Sequence, residues 1–303
     1  MKIYVKLILT ALFWGGTFVA GRLVAQNVGP FSIAFLRFAV ASILLLLLAW
    51  RLEGRLPGLN RRQIILVILL GMTGIFTYNV LFFKGLKLIE AGRAALIIAT
   101  CPVFITLCSA FFLKEKINLI KGIGILISVY GAIIVVSRGN IKDIFAGSLG
   151  MGEFYIFCCV LCWVAYSLIG KVAMKTLSPL ACVSYSSVIG TVALLIPAVF
   201  EGLIQNIGRQ SVSDWLCILY LGVFGTVIGF VWYYQGVECL GPTKAGLFIN
   251  FVPVFGVLSA FLVLGESITL SLATGAALVI SGVYLTNRKP SPRRSAKQDL
   301  IES

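Results

Sequence analysis

Residues Ala94–Glu115 read AALIIATCPVFITLCSAFFLKE, and residues Ala245–Glu266 read AGLFINFVPVFGVLSAFLVLGE. The second stretch lies 151 positions after the first, and Pro102, Val103 and Phe104 fall on Pro253, Val254 and Phe255. The same offset carries Gly71, Gly74 and Gly85 onto Gly222, Gly225 and Gly236. It also carries Gly124 and Gly131 onto Gly275 and Gly282. At an offset of 149, Trp14 meets Trp163, Gly21 meets Gly170 and Pro30 meets Pro179. The chain is therefore a tandem repeat. Each copy holds about five apolar stretches of the ~20-residue length that a bilayer requires. Five crossings return the second copy upside down. The expected fold class is an all-α membrane protein of ten transmembrane helices in two inverted five-helix repeats. Such repeats are a common plan for secondary transporters, because exchanging the shapes of the two halves exchanges inward-open for outward-open.

Composition agrees with this reading. The 303 residues are 59% hydrophobic and 12% charged, with a mean hydropathy of +1.03, which excludes an ordinary soluble domain. Ten spans are predicted, over residues 4–25, 31–50, 63–83, 91–113, 118–137, 151–174, 179–200, 214–235, 244–264 and 268–287. Residues 4–137 and 150–287 form the two repeats, and residues 288–303 form a basic tail. Stretches such as Ile64–Leu70 and Ile123–Val136 are apolar nearly all round, without the alternation of barrel strands. In lipid such a stretch must satisfy its backbone internally, so it is helical. The first apolar stretch is too long for a signal peptide, and the repeat requires it as span 1.

The charge balance reads as topology. With the N-terminus inside, the inner ends and loops hold 17 of the 25 Lys and Arg residues, and the outer ones hold 6. Arg22 and Arg37 lie within spans. The bias places both termini in the cytoplasm. The net charge of +14 is thus explained without nucleic acid. The tail, with Pro290 and Pro292 among its basic residues, is expected to be disordered and to rest near anionic headgroups.

Catalytic chemistry finds little support. The chain has no histidine, and none of its eleven acids sits in the middle of a predicted span. The eight cysteines include Cys158-Cys159-x-x-Cys162, but no convergent His or carboxylate ligands accompany them. They read as small apolar fillers. No metal and no cofactor is expected, and the chain is not expected to be an enzyme. The lack of mid-membrane acids favours facilitated diffusion or exchange over tight proton coupling, since proton relays use buried Asp, Glu or His.

Pro102 and Pro253 fall near the middle of spans 4 and 9. A mid-depth break frees backbone polar groups that need a neighbour, water or a cavity. Paired breaks in both halves point to gates or hinges at a binding site near the midplane, with a simple packing kink as the other reading. At that depth the spans supply Trp14, Thr17, Tyr78, Asn79, Thr100, Trp163, Tyr166, Trp232 and Asn250 as candidate substrate-binding residues. Tyr233 adjoins Trp232 in span 8. A cavity built from these groups suits amphipathic organic solutes rather than inorganic ions. Interface-belt anchoring is the alternative for Trp and Tyr, and it suits Trp50, Trp215 and Tyr284. Arg22 and Arg37 both lie toward the outer leaflet. They either snorkel or bond a carbonyl, or they form an electrostatic entrance for a carboxylate.

At these residues the chain resembles the EamA-type branch of the drug/metabolite transporter superfamily. The resemblance rests on Phe13-Trp14-Gly15-Gly16-Thr17-Phe18-Val19 with Gly21-Arg22, on Leu36-Arg37-Phe38, and on the two blocks quoted above. It implies ten helices in two inverted repeats around a central cavity lined by spans 1, 3, 4, 6, 8 and 9. It also implies transport, often export, of amino acids, other metabolites or drugs across the bacterial inner membrane. The expected partners are a small-molecule substrate and the lipid bilayer, with the oligomeric state open. Uptake or exchange of a charged or nucleotide-like metabolite is the second reading. A membrane-embedded enzyme or an assembly partner is the third.

Overall fold

The computed structural model describes residues 2–54, 56–101, 103–105, 107–108, 119–137, 150–240, 248 and 250–287. Pro102, the Lys114-Glu115 pair and the basic tail 288–303 lie outside the described residues. In chain order the main helices are α1 (Lys2–Val24), α2 (Pro30–Glu53), α3 (Arg61–Leu88), α4 (Ala91–Ile98) and α5 (Leu119–Val136). They continue with α6 (Met151–Ala173), α7 (Pro179–Phe200), α8, α9 (Val252–Leu264) and α10 (Leu270–Asn287). Helix α8 runs through Val212–Gly222, Val223–Ile228 and Gly229–Leu240. Among the described residues there is no strand. Helices α1, α2, α3, α6, α7 and α8 are long and apolar enough to cross a membrane, and the other four are shorter but apolar.

Both faces of these helices are apolar. In α2, Ala41 and Leu45 are buried, while Ile43 and Leu47 on the opposite face are 61% and 53% exposed. A helix that is hydrophobic all round and still exposed on one side is solvated by lipid. The protein is thus a multi-pass membrane protein.

Helix ends are tied across the two halves by polar side chains. The carboxylate of Glu201, just past α7, accepts the backbone N–H groups of Phe31 and Ser32 at the start of α2, at 3.3 and 2.7 Å. At the other end, the hydroxyl of Ser178, which caps α7, donates to Glu53 in the last turn of α2 at 2.7 Å. The end of each helix meets the start of the other, so α2 and α7 run antiparallel. Two capping boxes follow the same pattern. Asn60 and Gln63 open α3, and Ser211 and Asp214 open α8. The Gln63 amide reaches Thr176 in the α6–α7 turn at 3.2 Å, and Asp214 accepts from Asn27 in the α1–α2 turn at 3.0 Å. Glu266, just past α9, accepts the Ala91 and Gly92 N–H groups at the start of α4, at 2.8 and 2.9 Å. Carboxylates placed at helix N-termini satisfy orphan donors and favour the helix dipole.

Packing is matched in the same way. Helix α2 packs on α7, and α5 packs on α10. Helix α1 packs on α8 and α9, while α6 packs on α3 and α4. The α5–α10 crossing is close because Gly131 and Gly282 carry no side chain. A Cβ at Gly131 would lie 2.7 Å from Leu278 Cβ, and one at Gly282 would collide with the Ser128 nitrogen. Small residues permit such approach where lipid removes any hydrophobic drive between helices.

Two helices are wound loosely at equivalent places. Residues Gly71–Thr77 of α3 and Val223–Ile228 of α8 are π-helical. Two others are interrupted at equivalent places. Turns fall at Ala99–Thr100 after α4 and at Asn250–Phe251 before α9. Both pairs correspond at the 151-residue offset.

Candidate functional site

The interruptions and π segments converge on one cavity of about 420 Å³. The turn at Ala99 and the turn at Asn250 both reach its wall, as do Cys101, Val252 and Pro253 beside them. Pro253 sits in the first turn of α9, where its missing N–H costs no helical hydrogen bond.

Aromatic rings form two clusters in this wall. On one side Trp163 of α6 lies 5.5 Å from Tyr78 of α3 and 5.3 Å from Tyr166, centroid to centroid. On the other side Trp14 of α1 lies 5.6 Å from both Phe230 and Tyr233 of α8. Trp14 and Trp163 correspond in sequence at the 149-residue offset. The indole N–H of Trp14 donates to the carbonyl of Gly225, inside the π segment of α8, at 2.9 Å. The ring is thus oriented by a backbone group of the other half.

Arg37 of α2 stands between the clusters and is 8% exposed. Its guanidinium donates to Asn79 Oδ1 of α3 at 3.0 Å and to Thr226 Oγ1 of α8 at 3.2 Å. Both acceptors are held by backbone carbonyls around the π segments. The Asn79 amide donates to Gly74 and Ile75 at 3.1 and 2.8 Å, and the Thr226 hydroxyl donates to Leu221 at 3.0 Å. Arg37 also lies 5.0 Å from the centre of the Phe38 ring. Arg at a helix centre costs about 2.5–3.5 kcal/mol on insertion scales, so its burial needs partners.

The structure brings Trp14, Thr17, Tyr78, Asn79, Trp163, Tyr166, Asn250, Pro253 and Arg37 to the cavity wall. Two of the named candidates do not reach it. Thr100 is buried, with its hydroxyl turned back onto the Ile97 carbonyl at 2.7 Å. Trp232 turns away and packs 5.8 Å from Phe13, with the Lys6 ammonium 6.0 Å from its ring centre. Phe230 and Tyr233 occupy the wall instead. Arg22 and Arg37 also part company. Arg22 is half-buried and donates to the Leu86 carbonyl, outside the cavity lining, whereas Arg37 lies within the lining. Pro102 lies outside the described residues.

The model of the EamA-like transporter family matches residues 1–137 and again residues 150–288. The chain belongs to the EamA-like transporter family. Among curated relatives of this EamA protein, the uncharacterized transporter YyaM of Bacillus subtilis is 31% identical over 93% of this chain and 92% of its own length. A probable terminal-alkyne amino-acid exporter of Streptantibioticus cattleyicolor is 29% identical over 95% of this chain and 94% of its own length. A solved crystal structure shares the fold, with a TM-score of 0.60 at 21% identity, covering 94% of this chain and 98% of that one.

For an EamA transporter, the wall has a coherent chemistry. It is mostly aromatic and aliphatic, with a few fixed amide and hydroxyl groups and one guanidinium. Its volume falls in the range of cavities that bury an organic molecule of drug or metabolite size. Among the described residues, no group of three or more His, Cys, Asp or Glu side chains could hold a metal ion.

Proposed function

We propose that the protein is a secondary transporter that exports amino acids or related small organic metabolites by alternating access. Residues 4–137 and 150–287 act as two inverted five-helix repeats that cross the membrane ten times in all. Both termini face the cytoplasm of a bacterial cell, as the distribution of basic residues favours. One observation carries the reading. The cavity is walled by repeat-related elements of both halves, while the reciprocal contacts Glu201–Ser32 and Glu53–Ser178 join the halves end to end. Rocking one half against the other then opens the cavity first to one side and then to the other. The exporter relative supports the direction and the class of cargo.

Trp14, Thr17, Tyr78, Asn79, Trp163, Tyr166 and Asn250 hold the cargo, and the breaks at Asn250–Phe251 and Ala99–Thr100 bend as gates. The test is solute flux. Proteoliposomes loaded with a radiolabelled amino-acid and metabolite library should release at least one solute faster than protein-free vesicles. Equal leakage for every solute would overturn the reading.

A further inference from the structure

Arg37 has five N–H donors and a permanent positive charge. Its hydrogen bonds to protein are the two to Asn79 and Thr226, both neutral acceptors, and its Nε is buried without a partner among the described residues. No carboxylate lies within ion-pair distance of it among the described residues, where the recorded ion pairs are those of Arg93 with Glu90 and Glu153. Among the described lining residues Arg37 is the one charged side chain, and the lining contains neither Asp nor Glu. A purely structural Arg in lipid would be expected to pair with an acid, to bond backbone carbonyls or to reach the headgroups. Among the described residues Arg37 has only the two neutral side-chain acceptors. It is held from two sides by groups pinned to the π segments, which fixes the guanidinium in the wall.

We infer that Arg37 is the anion-binding residue of the cavity, and that the cargo is an organic molecule presenting one carboxylate to it and an apolar or aromatic body to the Trp14 and Trp163 clusters. This deepens the transporter reading and rests on it for flux, but not for binding. A fixed cation in a water-poor cavity binds a carboxylate through charge-assisted hydrogen bonds, and Arg does so with a fork geometry that Lys lacks. With no acid in the described lining to receive an ammonium, a positively charged amine of the same size is repelled. A neutral ester keeps the apolar contacts and loses the charge.

The experiment uses four probes built on one phenyl ring: 3-phenylpropionate, phenylalanine, phenethylamine and methyl 3-phenylpropionate. Binding is read on the purified full chain in nanodiscs by quenching of tryptophan fluorescence, with Trp14 and Trp163 in the wall as reporters. Flux of the same probes is read in proteoliposomes. The parent should bind 3-phenylpropionate about tenfold or more tighter than its methyl ester, with phenethylamine weakest. R37Q should lose that preference while its affinity for the ester stays within about twofold, and R37K should recover part of the preference. Equal binding of acid and ester by the parent overturns the inference, and needs no variant to fold. So does a folded R37Q that keeps the preference. Flux of solutes without any charge preference overturns the inference and leaves the transporter standing. Acid-selective binding without flux of any probe supports the inference and counts against transport.

Discussion

The carboxylate of Glu201, past the end of α7, accepts both the backbone N–H and the hydroxyl of Ser32, in the first turn of α2, at 2.7 and 2.8 Å. Its counterpart is Glu53, in the last turn of α2, which accepts the hydroxyl of Ser178 at 2.7 Å. The two contacts differ in what they satisfy. Glu201 serves two backbone donors and a hydroxyl in a half-buried setting. Glu53, itself exposed, serves one hydroxyl, and Ser178 also caps the Ala181 N–H by itself. Glu201→Ala is therefore expected to cost about 1–2 kcal/mol, the loss of a helix cap with its dipole interaction. Glu53→Ala should stay within about 0.5 kcal/mol. Thermal melts of the two variants in the same detergent give the order, and a larger loss for Glu53→Ala would refute it.

Asn79 is expected to matter more than Thr226, although each gives Arg37 one acceptor. Asn79→Leu preserves side-chain size but leaves the guanidinium short of a partner and removes the amide donor to the Gly74 and Ile75 carbonyls. Thr226→Val removes one acceptor and one hydroxyl donor to Leu221. Unsatisfied buried groups cost about 1–3 kcal/mol each, so Asn79→Leu should destabilise by roughly 2–4 kcal/mol and Thr226→Val by roughly 1–2. Chemical denaturation in mixed micelles ranks them. Equal midpoints for the two variants would show that the loosened turn of α3 does not depend on the Asn79 side chain.

Gly131 and Gly122 lie in one helix and should respond in opposite senses. A Cβ at Gly131 meets Leu278 and Val279 of α10 at 2.7 and 2.8 Å, whereas one at Gly122 meets nothing within 4 Å. Gly131→Val overpacks the α5–α10 crossing and should cost about 1–3 kcal/mol. Gly122→Ala should be neutral or gain about 0.5–1 kcal/mol from helix propensity. Yield and melting temperature after extraction test the pair, and a tolerated Gly131→Val would mean that the two helices can separate freely.

Much of the helical order was legible from hydropathy alone, because a segment surrounded by lipid has to close its own hydrogen bonds. The rings of Trp14, Tyr78, Trp163 and Tyr166 were found from their depth in the spans, and they do share one cavity wall. Facing was harder to read. Depth alone points to Trp232 in span 8, yet Tyr233 and Phe230 reach the wall. The π segment at Val223–Ile228 adds a residue to a turn just upstream, so a 3.6-residue periodicity loses its phase there. Thr100 stays out of the wall for a related reason, since the turn it stands in points its hydroxyl back at Ile97. The roles of Glu201, Glu53 and Glu266 were invisible. Each joins residues more than 120 positions apart, and no local pattern marks an acid that caps another helix. Arg37 was singled out by its charge. Its place within the cavity lining came from Asn79 and Thr226, which lie in different halves of the chain.

Pro253 is expected to separate stability from transport. It stands in the first turn of α9, directly after the turn at Asn250–Phe251, and lines the cavity beside Asn250. A proline there gives up no helical hydrogen bond, so Pro253→Ala should change stability by no more than about 1 kcal/mol. Its ring does block the helix from extending backward, by clashing with the carbonyl four residues earlier. Alanine restores the N–H and removes the clash. Helix α9 can then grow across Asn250–Phe251, which turns Asn250 off the wall and stiffens the break. If that break is a gate, efflux from loaded vesicles should fall about fivefold or more at equal protein, the effect of roughly 1 kcal/mol or more on the moving step. The melting temperature should stay close to that of the parent. A Pro253→Ala protein that carries solute at the parental rate would remove the break from the transport cycle and leave it as a packing feature.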